Sequence, residues 1–259
     1  ILRTRFAAVD GAPVQIIDAD MAPAVTLVDL SARPEREQAL RQSIVESSNQ
    51  PFDLAAGPLV RMDLFRIGED EHVLLLNMHH IVSDGWSMNI LVAELAALYD
   101  SARMRVPAML PPPSLQYADF AVWQRRWLQG DALERNLGYW EDRLKGAQIL
   151  QLPLDRPRPQ VQTYRGQVHR MAIDAALTAR VKALCRVHDV TPFMGLLAAF
   201  QLLLAKLSGQ QDISVGTTIA NRTRGETEHM VGFFANLLVL RADVDPDLDF
   251  GALLQQVRK

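Results

Sequence analysis

Cysteine is nearly absent from this chain of 259 residues: Cys185 stands alone, so no internal disulfide can form. A protein that leaves its one thiol unpaired fits a reducing compartment and is expected in the cytoplasm, with Cys185 serving as a small apolar residue on a helix. Long apolar runs are missing too. None reaches the roughly 18 to 20 residues that a membrane span needs. Blocks of one charge are also lacking, because 27 basic and 30 acidic residues are spread evenly to a net charge of -3. That balance offers no basic face to nucleic acid. There is no initiator methionine, no secretory segment and no internal repeat; the chain opens on Ile1-Leu2-Arg3 and stops at Lys259 inside a helical pattern, as a piece of something longer would.

What is present is a soluble, globular composition, 49% hydrophobic and 22% charged, with a mean hydropathy of zero. Apolar runs at Val14–Ile17 and Val25–Val28 read as strands, and Glu35–Ser48 as a helix ended by Pro51. The runs Leu59–Ile67 and His72–Asn77 flank the polar turn 68–71 and predict a hairpin. After it, a segment from about Ser87 to Ala102 carries Ile90, Leu91, Leu95, Leu98 and Tyr99, a stripe expected to bury against a sheet. Beyond the break at Pro111-Pro112-Pro113, two more helices are expected at Tyr117–Leu128 and Ala132–Leu144, with Trp123, Trp127 and Trp140 among their core positions. The prolines 153, 157 and 159 mark an interlobe linker over 153–163. A strand (Gln167–Ile173), a helix (Ala175–His188), a second helix from Thr191-Pro192 and a strand (Ile213–Ile219) follow. The alternation implies α/β layering in an N-terminal lobe (1–152) and a C-terminal lobe (164–259).

Between the hairpin and its helix lies Met78-His79-His80-Ile81-Val82-Ser83-Asp84-Gly85-Trp86-Ser87. Adjacent side chains at a strand end point to opposite faces, so one histidine at most can line a given pocket. His80 is an imidazole suited to take or give a proton near neutrality. Asp84 can shape the loop or tie it to a cation. Gly85 permits a sharp turn, and the following helix aims its N-terminal amides back at the loop. By themselves these residues also fit a polar turn. A metal site is not expected, because the histidines diverge and no second ligand cluster lies nearby.

The ten-residue string resembles the HHxxxDG signature of the condensation domains of nonribosomal peptide synthetases, within the superfamily that includes chloramphenicol acetyltransferase. Three further stretches agree in order. Leu2-Arg3-Thr4-Arg5-Phe6 looks like the end of the family's RHExLRTxF motif, Tyr117-Ala118-Asp119-Phe120-Ala121-Val122-Trp123 like its YxD(F/Y)AxW motif, and Val231-Gly232-Phe233-Phe234-Ala235-Asn236-Leu237 like its (I/V)GxFxNT motif. At the last one the chain departs from the family, with Ala235 and Leu237 in place of the commoner valine and threonine.

The resemblance implies a two-lobed chloramphenicol acetyltransferase-like fold, each lobe a sheet packed with helices, with the site in the cleft between them. It implies peptide bond formation between a donor acyl or peptidyl thioester and the amine of an acceptor aminoacyl thioester. Both substrates ride on phosphopantetheine arms of peptidyl carrier domains, beside an adenylation domain in the parent chain, and no cofactor or metal is bound. His80 matches the functional second histidine and His79 the supporting first. An arginine after a late strand is expected to pair with Asp84; Arg222 is matched to it, with Arg224 the rival. Asn236 would line the floor near the site. Ser83 to Ser87 resembles the subtype that accepts an L-configured donor. A coenzyme A-dependent acyltransferase and a non-catalytic carrier-recruiting module remain alternatives, and the piece is not expected to act alone.

Overall fold

The computed structural model describes residues 1–163, 166–245 and 247–258. Two compact units form: Ile1–Gly130 with Ile219–Asn236, and Asp131–Thr218 with Leu237–Lys259. These divisions differ from the proline-rich boundary at 153–163, and residue 164 and the chain end at Lys259 lie outside the described residues.

In the first unit, β1 (Thr4–Val9) and β2 (Ala12–Ile17) pair as an antiparallel hairpin around Asp10-Gly11, both at positive φ. β3 (Val25–Asp29) runs parallel to β4 (Val60–Arg66), which pairs antiparallel with β5 (His72–Met78). The polar turn 68–71 fixes that register, opposing Arg66 to His72 and Val60 to Met78. α1 (Arg36–Ser48) lays Leu40 and Ile44 over Leu30, Phe65 and Ile67. A second core, Leu59, Val60 and Val82, lies at the far end of the same hairpin.

α2 (Gly85–Met104) and α3 (Tyr117–Trp127) complete this unit. The stripe on α2 is not buried as its spacing predicts: Leu95, Leu98 and Tyr99 are exposed. Nor is Trp127 core, since half of it is exposed where it stacks on Trp123. Spacing says only that apolar residues share a face, not that a neighbour covers it.

Apart from the end residues Gly130, Ile219 and Asn236, the second unit holds α4 (Gly130–Leu144), α5 (Ala175–Val187), α6 (Pro192–Ser208), the paired strands β6 (Asp212–Ile219) and β7 (Asn236–Asp243), and α7 (Phe250–Arg258). α6 begins as its sequence dictates: the Thr191 hydroxyl accepts from the Met194 N–H and Pro192 occupies the first turn. Its far end stops at Gly209 in the left-handed region. Ala198, Leu204 and Ala205 pack with Ile213, Val244, Leu253 and Leu254. The strand expected over Gln167–Ile173 does not form; that segment is irregular, with Val168 and Met171 about four-fifths exposed. Extended chain becomes a strand only with a ladder partner, and this segment has none among the described residues. No single helix among the described residues is long and apolar enough to cross a membrane.

Candidate active site

The hairpin sets the position of the histidine loop. β5 ends at Met78, and the His79 N–H donates to the Leu59 carbonyl (3.0 Å), carrying the pairing one step past the strand. Val82 anchors the other side of the loop, fully buried against Leu59 and Val60. Between these anchors His80–Val82 form one 3₁₀ turn, and Asp84 then caps α2. Burying Leu59 and Val82 contributes about 1.5–3 kcal/mol each, which fixes the floor beneath the loop.

The two histidines take different neighbours. His79 Nδ1 accepts from the Ile81 N–H (3.0 Å), and its ring meets Phe52 edge to face. His80 Nδ1 lies 2.6 Å from the Ser83 carbonyl oxygen. A carbonyl only accepts, so Nδ1 carries a proton, and in the neutral ring Nε2 keeps its lone pair. His80 is exposed, and its ring leans on Phe233 at 4.7 Å between centroids and 51° between planes.

Asp84 is buried and saturated with donors. Oδ1 accepts from the Ser87 N–H (2.8 Å), the Ser87 hydroxyl (2.7 Å) and Arg222 NH2 (3.1 Å); Oδ2 accepts from the Phe234 N–H (3.1 Å). Burial pushes its carboxyl up, but these hydrogen bonds, Ser87's foremost, outweigh it and hold the group below the usual carboxylate range. A carboxylate so engaged orients its surroundings and has no capacity left to act as a base.

Arg222 reaches Asp84, and Arg224 does not: its guanidinium lies over the Trp123 ring at 4.4 Å. Arg222 NH1 donates to the carbonyls of Thr227 and Met230, and its guanidinium sits 4.1 Å from the Phe234 ring centroid. The same segment is gripped from α3, where the Tyr117 hydroxyl donates to the Phe233 carbonyl (2.7 Å). A Cβ on Gly232 would stand 2.1 Å from the Tyr117 ring, so only glycine admits that ring. Burial, then the Asp84 charge, raises the Tyr117 phenol, keeping it a donor. Asp119 closes the first turn of α3 by accepting from the Gln116 N–H (2.8 Å).

Gly85 differs from its sequence rationale. It has no positive φ, and an added Cβ would meet nothing within 4 Å, so the turn does not demand glycine; the space above it is open. Asn236 opens β7 and is exposed. Sequence reasoning missed Ser87, the Tyr117 hydroxyl, Gly232 and Phe233 as parts of one assembly. For Ser87 the signal was its place three residues after a capping aspartate. For the others the partners lie more than a hundred residues apart, and no local pattern marks them.

The chain is similar to known proteins along nearly its whole length. A family model described as Condensation domain matches residues 1–259. The chain is 48% identical over 260 residues to a linear gramicidin synthase polypeptide of Brevibacillus parabrevis, covering 99% of this chain and 3% of that protein. It is 44% identical over 262 residues to the phosphinothricin tripeptide synthetase PhsC of Streptomyces viridochromogenes, covering all of this chain and 24% of that one. Among solved structures, the X-domain from teicoplanin biosynthesis matches with a TM-score of 0.89 at 29% identity, over 99% of this chain and 57% of that chain. The epimerization domain from the third module of tyrocidine synthetase B shares the fold, with a TM-score of 0.84 at 23% identity, over 99% of this chain and 60% of its own. With sheets packed against helices in the chloramphenicol acetyltransferase-like manner, and with the family's signature at the histidine loop, the chain belongs to the Condensation domain family.

Proposed function

We propose that this domain forms a peptide bond in nonribosomal peptide synthesis. The amine of a carrier-bound aminoacyl thioester attacks the carbonyl of a carrier-bound acyl or peptidyl thioester. The new N–C bond forms, the C–S bond breaks, and the amine's proton passes through the site to the departing thiolate. The observation that carries this reading is His80: exposed, with Nδ1 committed to the Ser83 carbonyl and Nε2 left to accept the amine's proton.

The demand on His80 is modest. A free α-amine has a pKa near 8, so on the order of a tenth is already neutral at pH 7, and a thioester is an activated acyl group. A positioned base is worth about 10² to 10⁴ in rate, and alignment of two tethered substrates can contribute more. His79 supports the loop by capping its turn, and the Asp84–Arg222 pair holds it. The open space over Gly85, at the first turn of α2, suits a developing oxyanion facing the helix amides. Asn236 belongs to the floor near the site. The substrates are carried on phosphopantetheine by donor and acceptor carrier domains, with an adenylation domain in the same parent protein, in the cytoplasm; the domain itself holds no cofactor. The chain spans only 3% and 24% of the gramicidin and phosphinothricin synthetases, and 44–48% identity to them favours catalysis over a carrier-recruiting role.

Single-turnover dipeptide formation tests this in the complete domain, with donor and acceptor loaded on their carrier proteins. His80→Ala is expected to slow it by about 10² or more with folding unchanged. An undiminished rate would remove the base role, and no dipeptide from the native domain would favour the recruiting module.

A further inference from the structure

The hydroxyl of Ser87 has four polar neighbours beside the histidine loop, and the roles given to His79, His80, Asp84 and Arg222 leave it unassigned. Ser87 is fully buried at the third position of α2. Four groups lie within hydrogen-bond reach of its oxygen: Asp84 Oδ1 at 2.7 Å, the Gly232 carbonyl at 2.9 Å, the Gly232 N–H at 3.0 Å and Arg222 NH2 at 3.0 Å.

A hydroxyl has two lone pairs and one proton. The Gly232 N–H and the Arg222 guanidinium fill the lone pairs. The proton goes to the ionised Asp84, whose bond is the shorter and charge-assisted, and the Gly232 carbonyl stands 2.9 Å away beside it. Gly232 is therefore held through its N–H, which donates to the Ser87 oxygen. The next residue is Phe233, whose ring flanks the His80 imidazole. Among the described residues one hydrogen bond holds the His80 ring, through Nδ1, and that bond permits the ring to swing about it. Phe233 limits the swing from the other side.

We infer that Ser87 is a positioning residue for acyl transfer: its hydroxyl holds Gly232 so that the Phe233 ring sets the orientation of the His80 imidazole. This rests on the proposed reaction at His80. Ser87 touches neither substrate nor the reacting atoms and acts through Gly232 and Phe233. In Ser87→Ala the N–H of Gly232 and one N–H of Arg222 lose their acceptor, and the 232–234 segment is free to shift. A displacement on the order of 1 Å near reacting groups can cost up to about a hundredfold in rate.

The test is a two-residue cycle in the complete domain, by single-turnover dipeptide formation at varied concentrations of loaded carrier proteins. Ser87→Ala is expected to lower the maximal rate by about tenfold to a hundredfold while the half-saturating carrier concentration stays unchanged. Ser87→Thr, which keeps the hydroxyl, should recover most of the rate. Phe233→Leu, which keeps every Ser87 hydrogen bond and alters a partly exposed ring, should show a similar loss. The double variant should lose little beyond either single one, because the two act through one orientation of His80. The ¹⁵N signals of the His80 ring should shift in both single variants. Additive losses, a changed half-saturation with an unchanged maximal rate, or unperturbed ring signals would overturn the inference. If Ser87→Ala does not fold, Phe233→Leu decides: an unchanged rate overturns the role. A native domain that makes no dipeptide would fail the proposed reaction itself, a result separate from any of these.

Discussion

Each unit of the chain holds an aspartate–arginine pair withdrawn from solvent, and the better-formed pair is the less buried one. In the second unit Arg241 meets Asp212 fork to fork, Nε to Oδ1 at 2.7 Å and NH2 to Oδ2 at 2.9 Å, with about a fifth of each side chain exposed. In the first unit Arg222 offers one nitrogen to both oxygens of Asp84, at 3.1 and 3.4 Å, with side chains only 1% and 2% exposed. Desolvation is costly for the fully buried pair and is poorly repaid by that geometry; the other pair keeps some water and makes the stronger bonds. The causes of the two low carboxyl pKa values differ in the same way. Arg241's hydrogen bond is the main one at Asp212, whereas at Asp84 burial opposes and Ser87 precedes Arg222 among the groups that hold it down. The pair in the second unit strengthens that unit. The buried pair fixes a place, bringing residue 84 and residues 222–234 together behind the histidine loop.

The largest effect that would break this contrast is on Arg222. Arg222→Met leaves Asp84 buried without its cation and is expected to cost about 3–5 kcal/mol in urea unfolding of the complete domain. A loss no greater than that at Arg241 would remove the distinction. Next is Gly232→Ala, which drives a Cβ into the Tyr117 ring; about 1–3 kcal/mol is expected by the same measurement, with a loss of dipeptide formation. Arg241→Met should cost less than either. Its loss should shrink in about 1 M salt, where exposed charges are screened, and the Arg222 effect should not.

The smallest effect sharpens the comparison by pH. Both carboxyls are depressed in the folded state, so the stability they contribute is present above the unfolded value near 3.9 and is lost as pH falls through the folded one. Arg241→Met should let Asp212 rise toward the ordinary value, and Ser87→Ala should do the same for Asp84, as read by carboxyl ¹³C titration. Each variant should then show a flatter acid limb in its stability curve.

Local chemistry was readable in the residues themselves, whereas the one distant contact named, Asp84 with Arg222 138 residues on, came only through the family resemblance. The β4–β5 hairpin follows from two apolar runs around 68–71, and the start of α6 from Thr191-Pro192. His79 and His80 take different neighbours, but they lie past the end of β5 with His80 in a 3₁₀ turn, so strand alternation is not the cause. The partners of Tyr117 and Trp86 could not be read this way. The Tyr117 hydroxyl finds a carbonyl 116 residues away, and the Trp86 indole N–H donates to the Glu228 carbonyl (2.8 Å) 142 residues on. Apolar periodicity misled where cover was lacking, on α2 and over 167–173, because a pattern states which residues share a side and not what meets it.

The join between Asp84–Ser87 and Gly232–Phe234 also sets an order of events in folding. Its bonds span 145 to 150 residues, so they close a loop longer than half of the chain. Contacts of such separation form late, after local helices and hairpins are in place. At a synthesis rate of roughly 5–20 residues per second, the histidine loop leaves the ribosome about 7 to 30 s before the segment that holds it. During that interval the β4–β5 hairpin and its core can form, while the carboxyl of Asp84 stays in water. The placement of the Phe233 ring beside His80 is therefore withheld from the growing chain until most of this sequence has been made.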